Sequence, residues 1–95
     1  MKVIWQPQAL DDLENVHRYI AIDNPAAADR TVVTIATAVH DQLSAFPESG
    51  RIGRVEGTRE LVVASSPFIV PYRIKGDVIE VLGVHHASRR WPGSF

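Results

Sequence analysis

The sequence predicts one α+β domain, with the element order β-α-α-β-β-β and a helical hairpin packed on one face of a mainly antiparallel sheet. Two stretches with helical spacing of apolar residues are joined by a short Asn-Pro junction. Three apolar stretches with strand-like alternation follow, and Gly76-Asp77 between the last two suits a two-residue hairpin turn. A length of 95 residues suits a single domain spanning residues 1–95.

The first half of the chain contains a short strand and both helices. The strand is predicted over residues 2–5, and Pro7 suits the first turn of a helix because its missing N–H is not needed there. This helix is predicted over residues 7–22 and the second over residues 25–46, with Asn24 as its N-cap. Because the junction is short, the helices should form an αα-hairpin whose apolar face covers the sheet.

The second half begins with a glycine-rich loop, predicted over residues 47–57. Strands are predicted over residues 58–63 and 68–74 from the alternation of apolar and polar side chains. Pro71 lies inside the second of these strands and cannot donate to a ladder. We therefore expect a free sheet edge or a bulge at Pro71.

The last strand is predicted over residues 78–86 and ends in two adjacent histidines, His85 and His86. Successive side chains of a strand point to opposite faces, so at most one of the two should share a site with a given face. No cysteine or nearby carboxylate lies at ligand spacing, and the chain carries no phosphate-binding or dinucleotide motif. We therefore expect neither a metal site nor a cofactor.

Composition limits the environment and the partners of the chain. No apolar run approaches the ~20 residues of a transmembrane helix, and the N-terminus lacks the apolar segment of a signal peptide. A cytoplasmic protein without a membrane partner is expected.

Residues 1–48 contain three basic and seven acidic groups, whereas residues 49–95 contain seven basic and four acidic groups. This asymmetry favours an anionic partner for one face, although helix and strand surfaces can differ in charge without a partner.

The basic residues of the second half are the candidate site. Cleavage of RNA through its 2′-hydroxyl needs a base, an acid and cations that stabilise the developing charge. Four side chains could converge for this purpose if the strands pair as predicted: Arg59, Arg73, His86 and Arg89. The same groups could instead bind nucleic acid or an acidic protein without catalysis. Arg51 and Arg54 lie on the glycine-rich loop, where they could contact phosphates or remain solvated.

The ordered set of motifs QPQALDDLENVHRYI, NPAAADR, GRIGRVEGTRELVV, FIVPYRI and VHHASRRWP resembles the RelE/ParE superfamily, the toxins of bacterial type II toxin–antitoxin modules. The resemblance covers nearly the whole chain. It implies the fold derived above and a co-encoded antitoxin that wraps and neutralises the toxin. It also implies that the toxin reaches operator DNA indirectly, through the antitoxin.

The resemblance also assigns site residues. Those matching the binding positions for the target or the antitoxin are Arg51, Arg54, Arg59, Arg73, Arg89, Arg90 and Trp91. If the protein is a nuclease, the catalytic set is Arg59, Arg73, His86 and Arg89, and the usual family histidine aligns with His86 rather than His85.

The superfamily divides by target. RelE-like members cleave mRNA on the ribosome, without a metal ion, whereas ParE-like members poison DNA gyrase and have no hydrolytic role. The loop of this chain has arginines but no lysine, Gly83 replaces a frequent basic residue, and the tail has no tyrosine. The segments GTREL and SRRWP look ParE-like. We therefore favour a ParE-like toxin over a RelE-like nuclease, with an inactive, antitoxin-bound corepressor as a third hypothesis.

The antitoxin contact can be predicted in outline. The groove between the helical hairpin and the sheet should take an amphipathic segment of the partner. An acidic partner would also cover the arginines of the second half, including Arg59 and Arg73.

Overall fold

The computed structural model describes residues 1–88, which form a helical layer on one face of a six-stranded sheet. The elements are β1 (Lys2–Trp5), α1 (Pro7–Ala21), α2 (Pro25–Ala38), a π-helical segment (Val39–Leu43), β2 (Arg51–Ile52), β3 (Arg59–Val62), β4 (Phe68–Lys75), β5 (Val78–Val81) and β6 (His85–His86). The predicted α+β class is confirmed. The predicted site residues Arg89, Arg90 and Trp91 lie outside the described residues.

The helical hairpin follows the predicted junction. Pro25 begins α2, and the side chain of Asn24 accepts a hydrogen bond from the backbone N–H of Ala27 at 3.0 Å, as an N-cap does. The predicted second helix does not remain α-helical to its end, because Val39–Leu43 forms a π-helical turn. Within residues 1–88, neither helix combines the length and the apolar character that crossing a membrane would require.

The sheet is mixed but mainly antiparallel. Its strand order is β1-β5-β4-β3-β2, and β6 pairs with β4 beyond the end of β5. Only β1 and β5 run parallel among the strands described, with Lys2 opposite Val78 and Trp5 opposite Val81. The glycine-rich loop was predicted without a strand, which is wrong at Arg51–Ile52, because these two residues pair with β3 as β2.

The predicted last strand is interrupted. After Val81 the chain leaves the sheet for residues 82–84 and returns as β6, where His85 and His86 lie opposite Ile69 and Phe68. The interruption lies beside Pro71, whose carbonyl accepts from the N–H of Leu82 at 2.9 Å. In a strand, the backbone nitrogen and carbonyl of one residue point toward the same neighbouring strand. The nitrogen of Pro71, which has no hydrogen to donate, therefore points toward residues 82–84, where the neighbouring strand is interrupted. The register sets residues 82–84 against Val70 and Pro71, so the extra residue lies on the strand opposite Pro71, whereas a free edge or a bulge was expected in the strand that contains Pro71.

The core fills the space between the hairpin and the sheet. Its largest fully buried side chains are Tyr72, Ile35, Leu43, Leu61, Ile79, Val39, Val63, Val70 and Val81. Most come from alternate positions of β3, β4 and β5, with Ile35, Val39 and Leu43 from the second helix. The core-facing side chains of β3 and β4 therefore point toward the helices. Their neighbours point to the opposite face, which we call the open face, although Glu60, Ile69 and Pro71 on it are buried.

Candidate functional site

A groove of about 750 Å³ lies where α1 passes the β3–β4 turn and β6. Its lining includes Asp12, Asn15, Val16, Tyr19, Ile20, Thr31, residues 65–68 and residues 84–86. Both His85 and His86 line this groove. The prediction that only one of them could share a site is therefore wrong. The groove lies at the end of the sheet, next to the two-residue strand β6.

Asp12 fixes the interrupted strand to α1. Its Oδ2 atom accepts from the backbone N–H of Val84 at 3.0 Å. A β-carbon on Gly83 would lie 2.7 Å from Nε2 of His85 and 2.9 Å from Oδ2 of Asp12, so a side chain at this position would force both groups to move. Sequence analysis missed Asp12, and its only signal there was an acidic residue near the start of a helix.

His85 favours its neutral form. Burial lowers the pKa of its imidazole, and the nearby Arg54 guanidinium lowers it further, whereas Asp12 and Glu60 act in the opposite direction. The net pKa lies below the ordinary value of 6.5. His85 is therefore mainly uncharged at neutral pH and adds little to the positive charge of the surface.

His86 is held in one tautomer. Its Nδ1 atom accepts from the backbone N–H of Ser88 at 3.2 Å and lies 2.7 Å from the Ser88 hydroxyl. A backbone N–H can only donate, so Nδ1 carries no proton and the proton of the neutral ring lies on Nε2. The ring also meets the edge of Phe68, with centroids 5.6 Å apart. In this arrangement His86 can offer a donor to the groove through Nε2 but cannot accept a proton there.

Arg59 and Arg73 lie on opposite faces of the sheet. Arg59 is opposite Tyr72 in the β3–β4 register, and Arg73 is the next residue along β4. On the helical side, Nη1 of Arg59 donates to the carbonyls of Glu48 at 3.1 Å and Gly50 at 2.9 Å. On the open face, Nε of Arg73 donates to Glu80 at 2.6 Å. The two guanidinium groups therefore serve separate contacts.

Arg51 and Arg54, in contrast, are brought together by Glu60. The Glu60 side chain is 2% exposed, its carboxylate accepts a hydrogen bond from Nε of Arg51 at 3.1 Å, and it forms an ion pair with Nη2 of Arg51 at 3.0 Å. It also accepts from the backbone N–H and Nε of Arg54 at 2.9 and 3.2 Å. Burial alone would raise the pKa of Glu60, but these donors and charges bring the net pKa below its usual value. Sequence analysis did not identify Glu60.

The predicted catalytic constellation is therefore not assembled from its described members. Arg59 and Arg73 are separated by the sheet, and His86 lies in the groove against Phe68. Among residues 1–88, no three histidine or acidic side chains are grouped closely enough to hold a metal ion. The arrangement offers two features for partners, the groove at the end of the sheet and the clustered arginines of the open face.

The role assigned to Asp12 gives a stability prediction. Asp12→Ala removes the acceptor of the buried Val84 N–H, so we expect a loss of about 1–3 kcal/mol in the free energy of unfolding, measured by urea denaturation. Asp12→Asn retains an acceptor and should lose less. The matched control is Asp11→Ala at the exposed neighbouring position, which should change stability by less than about 0.5 kcal/mol. Equal effects at the two positions would contradict the proposed anchoring.

Comparisons with known proteins agree on one kind of protein. The relative described as "Putative toxin Y4kP" from Sinorhizobium fredii is 50% identical over 91 residues, covering 96% of this chain and 93% of that protein. Toxin RelE2 from Caulobacter vibrioides is 34% identical over 88 residues, covering 93% and 97%.

Two solved structures share the fold. The structure described as "Chromosomal ParDE TA system from P. aeruginosa" superposes with a TM-score of 0.80 and 30% identity, covering 90% of this chain and 95% of that chain. The toxin–antitoxin complex RelBE2 from Mycobacterium tuberculosis has the same coverage, a TM-score of 0.65 and 22% identity, and this likeness concerns the fold alone. The family model described as the ParE toxin of the type II toxin–antitoxin system parDE matches residues 3–91. This chain therefore belongs to the ParE toxin family of type II toxin–antitoxin systems.

Proposed function

We propose that this toxin inhibits growth by binding DNA gyrase, without cleaving RNA, and that a cognate antitoxin neutralises it in the cytoplasm. The observation that carries the proposal is the separation of Arg59 and Arg73 onto opposite faces of the sheet. A nuclease of this fold would need cations and a proton acceptor around one phosphate. A toxin that acts by binding needs only exposed surfaces, and the ParE family match agrees with such a mechanism.

Two further contacts support the proposal. Arg59 is bound to two backbone carbonyls, so moving it to a phosphate would leave the segment around Glu48 and Gly50 without these donors. His86 has its proton on Nε2, because Nδ1 accepts from the Ser88 N–H. A general base at His86 would require a different tautomer and the loss of that hydrogen bond.

The proposal is tested by two assays run with the same purified toxin. We expect supercoiling by purified gyrase to be lost, while mRNA in a translating extract stays intact. The variant His86→Ala should still inhibit gyrase, because the proposal gives His86 no role in binding the target. Intact supercoiling together with fragmented mRNA would contradict the proposal.

The second candidate is ribosome-dependent mRNA cleavage, which the similarity to Toxin RelE2 favours. Under this candidate, the extract should contain mRNA cut at ribosomal A sites. Either His86→Ala or Arg59→Ala should then abolish the cuts. A third candidate, a corepressor without toxicity, predicts that expression without the antitoxin leaves growth unchanged, and this is the simplest experiment to perform first.

The antitoxin is proposed to use both surface features. The groove at the end of the sheet has an apolar floor from Val16, Ile20, Phe68 and Val84, which suits an amphipathic segment. Acidic side chains of the same partner would cover the arginines of the open face. Operator DNA would then be contacted through the antitoxin. The similar ParDE structure, which comes from a toxin–antitoxin system, supports this assembly.

A further inference from the structure

Glu60 organises a charged surface on the open face. We name this surface the paired-arginine patch and define it as Arg51, Arg54 and Val62 around the carboxylate of Glu60. The Arg51 and Arg54 side chains remain 52% and 44% exposed while they contact a carboxylate that is 2% exposed. Val62, two residues beyond Glu60 on the same face of β3, is 49% exposed. The patch therefore presents two accessible cations and an apolar side chain.

The carboxylate does more than neutralise charge. Two guanidinium groups repel each other when they lie side by side in solution, and each long side chain loses rotamer freedom when it is fixed. Glu60 accepts from both arginines and from the Arg54 backbone. Its charge offsets the repulsion between the guanidinium groups, and its hydrogen bonds restrict their rotamers before any partner binds. A partner that binds the outer edges of these groups does not have to order them, which raises its affinity. The patch still carries a net charge of one positive unit from these three ionised side chains.

We propose that Glu60 is a positioning residue that holds Arg51 and Arg54 ready to bind carboxylates of an acidic and apolar antitoxin segment. This inference rests on the proposed function, specifically on neutralisation by an antitoxin. Planar guanidinium groups bind carboxylates through paired N–H donors, which gives the contact a defined geometry. The role of Glu60 differs from that of Glu80, which pairs with a single arginine, Arg73.

The chemistry of the patch favours a protein partner over a nucleic acid. Val62 lies on the same face and is 49% exposed. A phosphate backbone gains nothing from this apolar side chain, whereas a segment that alternates acidic and apolar residues would bury it. The edge strand β2 is only two residues long, so the contact would depend mainly on side chains.

The experiment compares two variants that change net charge equally. Glu60→Gln and Glu56→Gln each remove one negative charge, and exposed Glu56 lies in the same loop as Arg54. If charge alone governs binding, both variants should bind the acidic antitoxin more tightly. If Glu60 positions the arginines, Glu60→Gln should weaken binding about tenfold despite the added positive charge, whereas Glu56→Gln should bind at least as tightly as the wild type. The probe is the antitoxin encoded in the same operon, titrated against folded toxin by calorimetry.

A second variant covers the case in which Glu60→Gln does not fold. Arg54→Lys keeps the charge but replaces the planar fork with a point charge, so it should also weaken binding of the antitoxin. Wild-type affinity in Glu60→Gln, or in Arg54→Lys if the former is unfolded, would overturn the inference while leaving antitoxin binding intact. A wild-type toxin that does not bind the antitoxin would overturn both proposals. A variant that loses binding to a DNA duplex but keeps its affinity for the antitoxin would show that the patch binds nucleic acid. This result would also overturn the inference.

Discussion

Replacing Gly50 with alanine should lower the free energy of unfolding by about 2–4 kcal/mol. An added β-carbon would lie 2.5 Å from Oη of Tyr72 and 2.6 Å from its Cε1 atom. Tyr72 has no exposed surface, so its ring cannot move aside without disturbing the core. Urea denaturation followed by circular dichroism measures the effect.

The same substitution should also break hydrogen bonds. The Tyr72 hydroxyl accepts from the Gly50 N–H at 2.9 Å and donates to the Pro47 carbonyl at 2.7 Å, while Arg59 donates to the Gly50 carbonyl. Displacement of the ring would leave the buried Gly50 N–H unsatisfied, and this is the more costly part of the change. Gly50 is therefore the point at which the chain leaving the second helix is fixed to the sheet.

Two controls separate the close contact from a general effect of the loop. Ser49→Ala, at the exposed neighbouring position, should cost less than about 1 kcal/mol. Gly50→Ala combined with Tyr72→Phe should cost less than the sum of the two single changes, because both act on the same contact. Additive costs would indicate that the two residues act independently and would contradict a shared contact between Gly50 and Tyr72.

The helices and most strands were predictable because their signals are local. Apolar spacing located both helices, Asn24 and Pro25 located their junction, and Gly76 located the hairpin turn through its positive φ of 63°. An irregularity in the sheet beside Pro71 was predictable, since a missing donor is a property of the residue itself, but its position on the opposite strand was not. The π-helical turn at Val39–Leu43 was not predictable, because it depends on how the second helix meets the core.

The site was less predictable because it depends on register and on the loop. Alternation assigned Arg59 and Arg73 to faces of their own strands, but only the β3–β4 register shows that these faces are opposite. Glu60 alternates as an ordinary surface residue of β3, and it becomes buried because the chain around Arg54 folds back over it. That loop has no periodic pattern, so a sequence cannot indicate which strand residue it covers. The binding roles of Arg51 and Arg54 remain predictions.

The stability of the toxin should fall as the pH is lowered through the acidic range, and Glu60→Gln should remove much of this dependence. Burial raises the pKa of Glu60, but the donors from Arg54 and Arg51 outweigh it and leave the folded-state pKa below the ordinary 4.5. A carboxyl with a lowered folded-state pKa contributes stability that is fully present above about 4.5 and is lost as the pH falls through the folded-state pKa. Urea denaturation at a series of pH values from 7 down to 3 measures this loss.

At neutral pH the same variant should be less stable than the wild type by about 2 kcal/mol, because a neutral amide replaces a carboxylate that accepts from two guanidinium groups. Glu80→Gln provides the comparison, since that carboxylate has a pKa lowered by its hydrogen bond with Arg73 but lies closer to the solvent than Glu60 does. Ion pairs near the surface contribute less to the free energy of unfolding. Glu80→Gln should therefore lower stability less than Glu60→Gln does, and its effect should weaken in salt.

His85 should make the stability of the fold depend on pH in a second, higher range. Its folded-state pKa is lowered by burial, so the unfolded chain takes up a proton first as the pH falls below about 6.5, and stability decreases in that window. His85→Gln should flatten the curve in the range that begins at about pH 6.5 and extends downward, whereas Glu60→Gln should flatten it below about 4.5. If Glu60→Gln instead retained the wild-type slope of stability against pH below 4.5, other carboxylates would account for the acid sensitivity. The ionised carboxylate of Glu60 would then not stabilise the fold through Arg51 and Arg54.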